Sequence, residues 1–233
     1  MLEDCTFRFS QWDPAKAGIK YEGTAEQWET AQAVMQDILD RLEVNYEVGI
    51  DEAAFYGPKL DIQYKNVFGK EDTIVTIQID MLLAQKFGME YTDADGQKKT
   101  PYIIHRTSLG CYERTLAYLI EKYAGALPLW MMPLQVRVMP ITDRAHDYAK
   151  ELVSKLEAVN IHAEADCRSE KLGYKIREAQ LQKVPYMLVV GDRDMENGTV
   201  SVRTRKGDDL GAMTPDEFIA KCLMEIATKS KEV

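Results

Sequence analysis

Between Gly125 and Pro133 the chain reads GALPLWMMP, and this stretch separates an acidic region from one close to charge balance. Two prolines this close to a helical pattern end it, because proline lacks an amide hydrogen and restricts the residue before it. Trp130 and the two following methionines are apolar, so the stretch is expected to be a packed connector, not a free linker. The boundary is accordingly placed between residues 1–133 and 134–233. A length of 233 residues suits one large domain or two small ones.

In the first region, Trp28, Ala31, Met35, Ile38 and Leu42 recur at helical spacing, predicting a helix over Thr24–Leu42. Thr24 is its expected cap, with Gln27 three residues on as capping-box partner. Leu60–Tyr64 and Thr73–Ile79 alternate as strands do, with Gly69 marking a hairpin turn. Tyr102–His105 is expected as a short strand and Gly110–Ala124 as a helix. The second region alternates strand and helix: strands over Leu134–Ile141, Ile161–Asp166, Tyr186–Val190 and Thr199–Arg203, helices over Asp143–Glu157, Leu172–Gln182 and Thr214–Ile226. The order β-α-β-α-β-β-α favours an open sheet with helices on its faces.

Composition narrows the function classes. Hydrophobic content of 45% and charged content of 29% are those of a globular protein. No apolar run is long enough for a membrane span, and the N-terminus, MLEDCTFRFSQWD, lacks the basic start and apolar core of a signal peptide. A cytoplasmic protein without membrane partners is expected. The four cysteines form no CxxC pair, so buried free thiols are expected; two disulfides are the alternative. The net charge of −9 disfavours a general nucleic-acid coat. It is unevenly spread: residues 1–133 carry 13 Lys and Arg against 21 Asp and Glu, residues 134–233 carry 16 against 17. Within 168–206 nine basic residues face five acidic ones, so a local basic surface is expected there.

Three places offer chemistry. Phe55-Tyr56-Gly57-Pro58-Lys59 enters a strand; Tyr56 suits orienting a small substrate and Lys59 holding an anion, or the segment is a structural turn. In TIVTIQID, Thr76, Gln78 and Asp80 share a face, which either binds a polar ligand or meets solvent. The third, His105-Arg106-x-x-x-Gly110-Cys111-x-Glu113-Arg114, runs from strand into helix. Gly110 permits close backbone approach to a flat ligand, and the planar permanent charge of Arg114 suits phosphate oxygens. His105 is a metal ligand or a hydrogen-bonded structural residue. GxxxxGK[ST], GxGxxG, HExxH and GxSxG do not occur, so any phosphate handling falls to arginines on a sheet.

AFYGPKLDI, TIVTIQID, IIHRTSLGCYERTLAYLIEKYAGALPLW and VPYMLVVGDRDMENGTVSVRTRKGDDLG, in this order, resemble the threonyl-tRNA synthetase family of class II aminoacyl-tRNA synthetases. The resemblance runs from about Lys20 to Ile226. The HR…G…ER segment resembles class II motif 3, and the region after Pro133 resembles the anticodon-binding domain of the threonyl, prolyl, histidyl and glycyl enzymes. The resemblance implies an α/β (α+β) chain: a partial class II antiparallel sheet with helices over 1–133, then a mixed-sheet α/β anticodon-binding domain over 134–233. It implies a ligase that charges threonine tRNA with threonine using ATP and Mg²⁺, in a homodimer when complete.

By the same resemblance Arg114 grips the ATP phosphates, Gly110 lies against adenine and ribose, Thr76 beside the nucleotide, and Lys59 near the reacting group. Tyr56 and Gln78 would contact threonine or its adenylate. His105 would be one of three zinc ligands. Arg203 and Asp194 would read anticodon bases, with Arg177 and Lys183 supporting that surface; Arg168, Lys171, Lys175 and Arg205 add to the expected basic face. The sequence departs from the family at Thr73-Ile74-Val75 (Gln-Cys-Gly), Cys111 (Ser) and Asp194 (Glu), and Cys5 lacks the family's zinc-cysteine context. With motifs 1 and 2 and the other zinc ligands expected upstream, this chain is expected to be an incomplete piece, inactive alone and without bound zinc. A non-catalytic RNA-binding paralogue is the alternative. A phosphotransferase relying on Arg114 alone lacks a second arginine motif.

Overall fold

The computed structural model describes residues 5–231, so residues 1–4 and 232–233, the outer limits of the two expected domains, lie outside the described residues. The chain divides into two compact units, residues 1–122 and 123–233. The connector 125–133 belongs to the second: Leu129 is 1% exposed and joins that unit's core.

The first unit is built on β1 (Cys5–Gln11), α1 (Ala25–Arg41), β2 (Tyr46–Ile50), β3 (Lys59–Lys65) and β4 (Glu71–Asp80). They are followed by a helical turn α2 (Leu83–Lys86), a small hairpin β5 (Tyr91–Thr92) and β6 (Lys98–Lys99), β7 (Ile103–Arg106) and α3 (Tyr112–Tyr123). The sheet order is β2-β1-β3-β4-β7, with β1 and β2 parallel and the other pairs antiparallel. β1 and β2 were not expected from sequence, although Phe7 and Phe9 alternate with polar residues as a strand requires.

Helix α1 starts where Thr24 caps it. The Thr24 hydroxyl accepts from the Gln27 amide and the Gln27 side chain accepts from the Thr24 amide, the expected capping box. Its buried stripe is Trp28, Ala31, Met35 and Leu39. Ile38 and Leu42, expected inside, are exposed: a period of 3.6 carries the inner face from Met35 to Leu39, one position past Ile38. The stripe packs on Phe9, Leu60 and Ile79, and Trp28 stacks on Trp12 with ring centroids 5.2 Å apart.

The second unit contains β8 (Val136–Pro140), α4 (His146–Glu157), β9 (Ala163–Ala165), α5 (Leu172–Leu181) and β10 (Tyr186–Val190). It closes with α6 (Asp192–Asn197), β11 (Val200–Thr204), β12 (Asp209–Met213) and α7 (Pro215–Ala227). The sheet order is β12-β11-β10-β8-β9, parallel where β8 meets β9 and β10 and antiparallel through β11 and β12. The expected alternation thus gains α6 and β12. One face of the sheet packs Val136, Val138, Leu188 and Val202 with Leu152 of α4 and Phe218 of α7. The other packs Met139 and Met187 against Ala179 of α5.

The cysteines differ from expectation. Cys222 is a buried thiol, and burial raises its pKa to about 12. Cys167 is half-buried and Cys111 exposed, because both lie on loops, and Cys5 is partly buried on β1.

Candidate active site and nucleic-acid interface

Side chains paired across neighbouring strands share a sheet face. Ser10, Lys59, Gln78 and His105 lie in one such row, and Arg8, Asp61 and Thr76 in the next row on the same face. Phe9, Leu60 and Ile77 occupy the intervening row on the opposite face, under α1. The first unit's sheet therefore has one face packed under a helix and one face carrying Arg8, Ser10, Lys59, Asp61, Thr76, Gln78 and His105. Thr76 and Gln78 share that polar face, as expected.

Two linked clusters organise it. In the first, the Tyr56 hydroxyl donates to Gln78 Oε1 at 2.7 Å. Burial, followed by the charge of Asp80, raises the Tyr56 pKa, so the phenol stays a proton donor at neutral pH. The Tyr56 ring lies 6.3 Å from that of His105. His105 Nε2 is 3.0 Å from Asp80 Oδ2, while Asp80 Oδ1 accepts from the amides of Leu82 and Leu83 at 2.9 and 2.8 Å. Burial pushes the Asp80 carboxyl up, but these amides and His105 outweigh it and hold it below its ordinary value.

The second cluster is centred on Asp61, only 3% exposed. Its carboxylate accepts from Ser10 at 3.1 Å, from Thr76 at 2.8 Å and from the Lys59 ammonium. A buried carboxylate needs such partners. In return it fixes Lys59 and Thr76, two expected ligand contacts. Asp61 was missed in the sequence because it reads there as one polar position in an alternating strand.

Glycine places the ends of the site. A Cβ on Gly57 would sit 1.7 Å from the Ile79 carbonyl oxygen, so only glycine lets Tyr56 and Lys59 flank β4 this closely. Gly110 has φ of +68°, and its Cβ would sit 1.8 Å from the Ile74 carbonyl oxygen. The close approach expected at Gly110 is thus made to strand β4. Ile74 is the extra residue of a bulge opposite Ile62 and Gln63. Arg114, in the first turn of α3, donates to the Thr73 carbonyl at 2.8 Å and is otherwise exposed, leaving most of its five donors available. Arg114 and the Tyr56–Gln78 pair mark opposite ends of β4.

The residues do not fit a zinc ion on this chain. Among the described residues no three His, Cys, Asp or Glu side chains converge as metal ligands, and His105 Nε2 is engaged by Asp80.

In the second unit, Asp194 accepts from the Gly191 amide at 3.0 Å, from Thr199 at 3.3 Å and from Ser201 at 3.2 Å. It fastens the start of α6 to β11. Arg203 lies two residues beyond Ser201 on the same face of β11 and pairs with Asp209 at 2.9 Å. The structure thus brings Asp194 and Arg203 along one strand face without joining them. Arg177 is exposed on α5, and Lys183 follows that helix with φ of +62°.

The expected basic face is smaller than its residue count. Arg168 is held by Asp166 at 2.7 and 2.8 Å and by Glu178 at 2.5 Å. Lys175 is 3% exposed and donates to the Asp166 carbonyl at 2.9 Å. A helical lysine one turn from the apolar Leu172 and Ala179 positions is carried inward with them.

Both units match known protein families. Residues 9–123 match the family described as tRNA synthetase class II core domain (G, H, P, S and T), and residues 135–225 match that described as anticodon binding domain. Threonine–tRNA ligase from Clostridium perfringens is 56% identical over 229 residues, covering 98% of this chain and 36% of the relative. That from Listeria monocytogenes is 46% identical, covering 97% of this chain and 35% of the relative. The similarity therefore begins well before Lys20, and the chain spans about a third of the length of these relatives. Among solved structures, the RNA binding domain of threonyl-tRNA synthetase from Cryptosporidium parvum matches with a TM-score of 0.82 and 31% identity, covering 94% of this chain and 55% of that one. With core and anticodon-binding matches lying in order on its two units, the chain belongs to the class II tRNA synthetase family.

Proposed function

We propose that this chain forms part of a threonine–tRNA ligase, supplying one side of the aminoacylation site and the anticodon-reading domain. The observation that carries this is 56% identity over 98% of the chain to a protein of that name. In the reaction, the threonine carboxylate attacks the α-phosphate of ATP, giving threonyl-adenylate and pyrophosphate; the terminal ribose hydroxyl of tRNA then attacks the threonyl carbonyl, forming the ester as the anhydride bond breaks and AMP leaves.

The polar sheet face suits the first step. Arg114 supplies a permanent charge and paired donors for phosphate oxygens from the end of β4. Thr76 and the backbone at Gly110 line the nucleotide side. Tyr56 fixes Gln78, whose amide N–H groups then face the amino acid. Lys59, held by Asp61, presents its remaining donors to charge that develops on the phosphoryl oxygens. Rate enhancement comes from fixing the reactants in line and stabilising that charge, with Mg²⁺ accompanying ATP. The family's zinc would select threonine by its hydroxyl; this chain contributes His105 at most.

The second unit reads anticodon bases through Arg203 and Asp194, with Arg177 and Lys183 alongside. Anticodon loops expose unstacked bases that side chains can reach. The cell compartment expected is the cytoplasm; among the described residues no helix is long and apolar enough to cross a membrane. Binding of threonine tRNA and of an anticodon-swapped tRNA to the 233-residue chain tests the reading. The expected result is tighter, salt-sensitive binding of the threonine tRNA; equal affinities overturn it.

A further inference from the structure

Several cations of the second unit are matched by carboxylates: Arg137 with Glu164, Arg144 with Asp192, Arg168 with Asp166 and Glu178, Arg203 with Asp209, Lys221 with Glu225. One cavity instead gathers Lys183, Arg205 and Lys206, cations that have no such match among the described residues. A cavity of about 330 Å³ is lined by Ala126, Gln180, Lys183, Arg205, Lys206 and Lys231. Among the described residues it is lined by no acidic side chain.

Arg205 is the fixed element. Its Nη1 donates to the Leu127 carbonyl at 2.6 Å and to the Lys183 carbonyl at 3.4 Å, so two backbone oxygens hold the guanidinium plane. Burial pulls its pKa below the ordinary value, only partly countered by Tyr186, as expected for a charge withdrawn from water without a carboxylate. Lys183 adds a second fixed element. Its backbone has φ of +62°, a region that side-chain-bearing residues adopt at a cost. That conformation ends α5, with the Lys183 and Val184 amides donating to Gln180 and Ala179, and it turns the Lys183 carbonyl to Arg205. Lys206 follows Arg205 directly in the chain. Among the described residues no carboxylate bonds Lys183, Arg205 or Lys206.

Carbonyl oxygens orient a guanidinium without neutralising it. A partly buried guanidinium flanked by two ammonium groups is therefore a cation site built before its anion arrives. Planar donors beside mobile point charges suit a tetrahedral phosphate better than a single carboxylate. We propose that this cavity binds a phosphate group of an RNA backbone, through Arg205, Lys183 and Lys206, as a contact separate from base reading at Arg203. The assignment to RNA rests on the anticodon-domain reading above; a free nucleotide phosphate offers the same chemistry from another source.

The test uses the 233-residue chain and the double variant Lys183→Gly/Lys206→Ala. Glycine suits the positive φ at 183, and Lys206 lies on an exposed turn, so the thermal midpoint should not fall. Binding is measured for the threonine anticodon stem–loop, an anticodon-swapped stem–loop, and ATP, over a range of salt. A phosphate contact predicts that the variant loses affinity for both stem–loops by one common factor, about tenfold, and that its salt slope shrinks by about 1–2. Unchanged affinity and slope, with wild type still preferring the threonine stem–loop, overturn the proposal and leave the anticodon reading standing. Loss of preference without a change in slope shows base reading by these lysines and also overturns it. Weaker ATP binding with unchanged RNA binding assigns the cavity to free nucleotide and overturns the RNA source. A wild-type chain that binds neither stem–loop overturns the anticodon reading and this proposal together.

Discussion

Gly110 and Gly69 both hold left-handed backbone, with φ of +68° and +76°, yet only one is packed. At Gly69, in the β3–β4 hairpin, an added Cβ meets open space; at Gly110 it lies 1.8 Å from the Ile74 carbonyl oxygen. Gly69→Ala should therefore cost only the left-handed penalty, about 1–2 kcal/mol. Gly110→Ala adds an overlap that β4 must move to relieve, for a total of about 3 kcal/mol or more. Urea unfolding followed by fluorescence of the buried Trp12 and Trp28 measures both, and equal losses would show that the contact at Gly110 is soft. The need for glycine at 110 was legible in sequence, but its partner was not, because the bulge at Ile74 leaves no local signature. Asp80 offers a second test. Its folded pKa lies below the ordinary 3.8, so its contribution to stability is present above that value and is lost as pH falls through the lower folded one. Wild-type stability should thus decline below about pH 4. Asp80→Asn should start lower at pH 7 and decline less steeply there; parallel curves would contradict the role given to Asp80.

At the scale of elements, legibility followed the strength of local signals. The Thr24–Gln27 capping box was readable because both partners lie within one turn, and it forms as expected. Thr24→Ala should lower the stability of the first unit by about 1 kcal/mol, measured as a shift in urea midpoint at unchanged slope; no shift would mean that tertiary packing alone sets the helix start. Thr214 likewise caps α7, with Glu217 completing the box. β1 and β2 were not read because their assignment depends on distant pairing: β1 lies between β2 and β3, and no hairpin turn announces it. Helix α6 escaped because its six residues are largely charged, and Asp194 holds it from within. The candidate site was legible to the extent that its residues cluster in sequence. Lys59, Thr76 and Gln78 fall on neighbouring strands joined by one hairpin, and the structure brings them to one face, with Tyr56, just before the first strand, bonded to Gln78. Ser10 and Asp61 complete that face; Ser10 lies in no motif, and Asp61, although inside AFYGPKLDI, reads only as a polar position of an alternating strand.

For the whole molecule, charge counted along the chain and charge available at the surface diverge. The net charge is −9, and several basic residues of the 168–206 stretch are paired or buried, so non-specific attraction for RNA should be weak. Preference among RNAs must then come from particular side chains. Arg203 is the best placed: on β11, held to Asp209 at 2.9 Å, with both partners substantially exposed. An exposed pair of this kind contributes only about 0–1 kcal/mol, so the guanidinium can leave Asp209 for a base edge at little cost. Arg203→Ala should reduce the preference for the threonine anticodon over a swapped one by about 1–3 kcal/mol, if its contact to the base is bidentate. The swapped tRNA itself should bind the variant and the wild type about equally, since it never gained the base contact. Asp209→Asn, which loosens the pair and keeps the arginine, should retain the preference. Affinities of the three proteins for the two tRNAs, at one fixed salt concentration, decide the matter. A preference that survives in Arg203→Ala would place the reading of the anticodon elsewhere on the second unit.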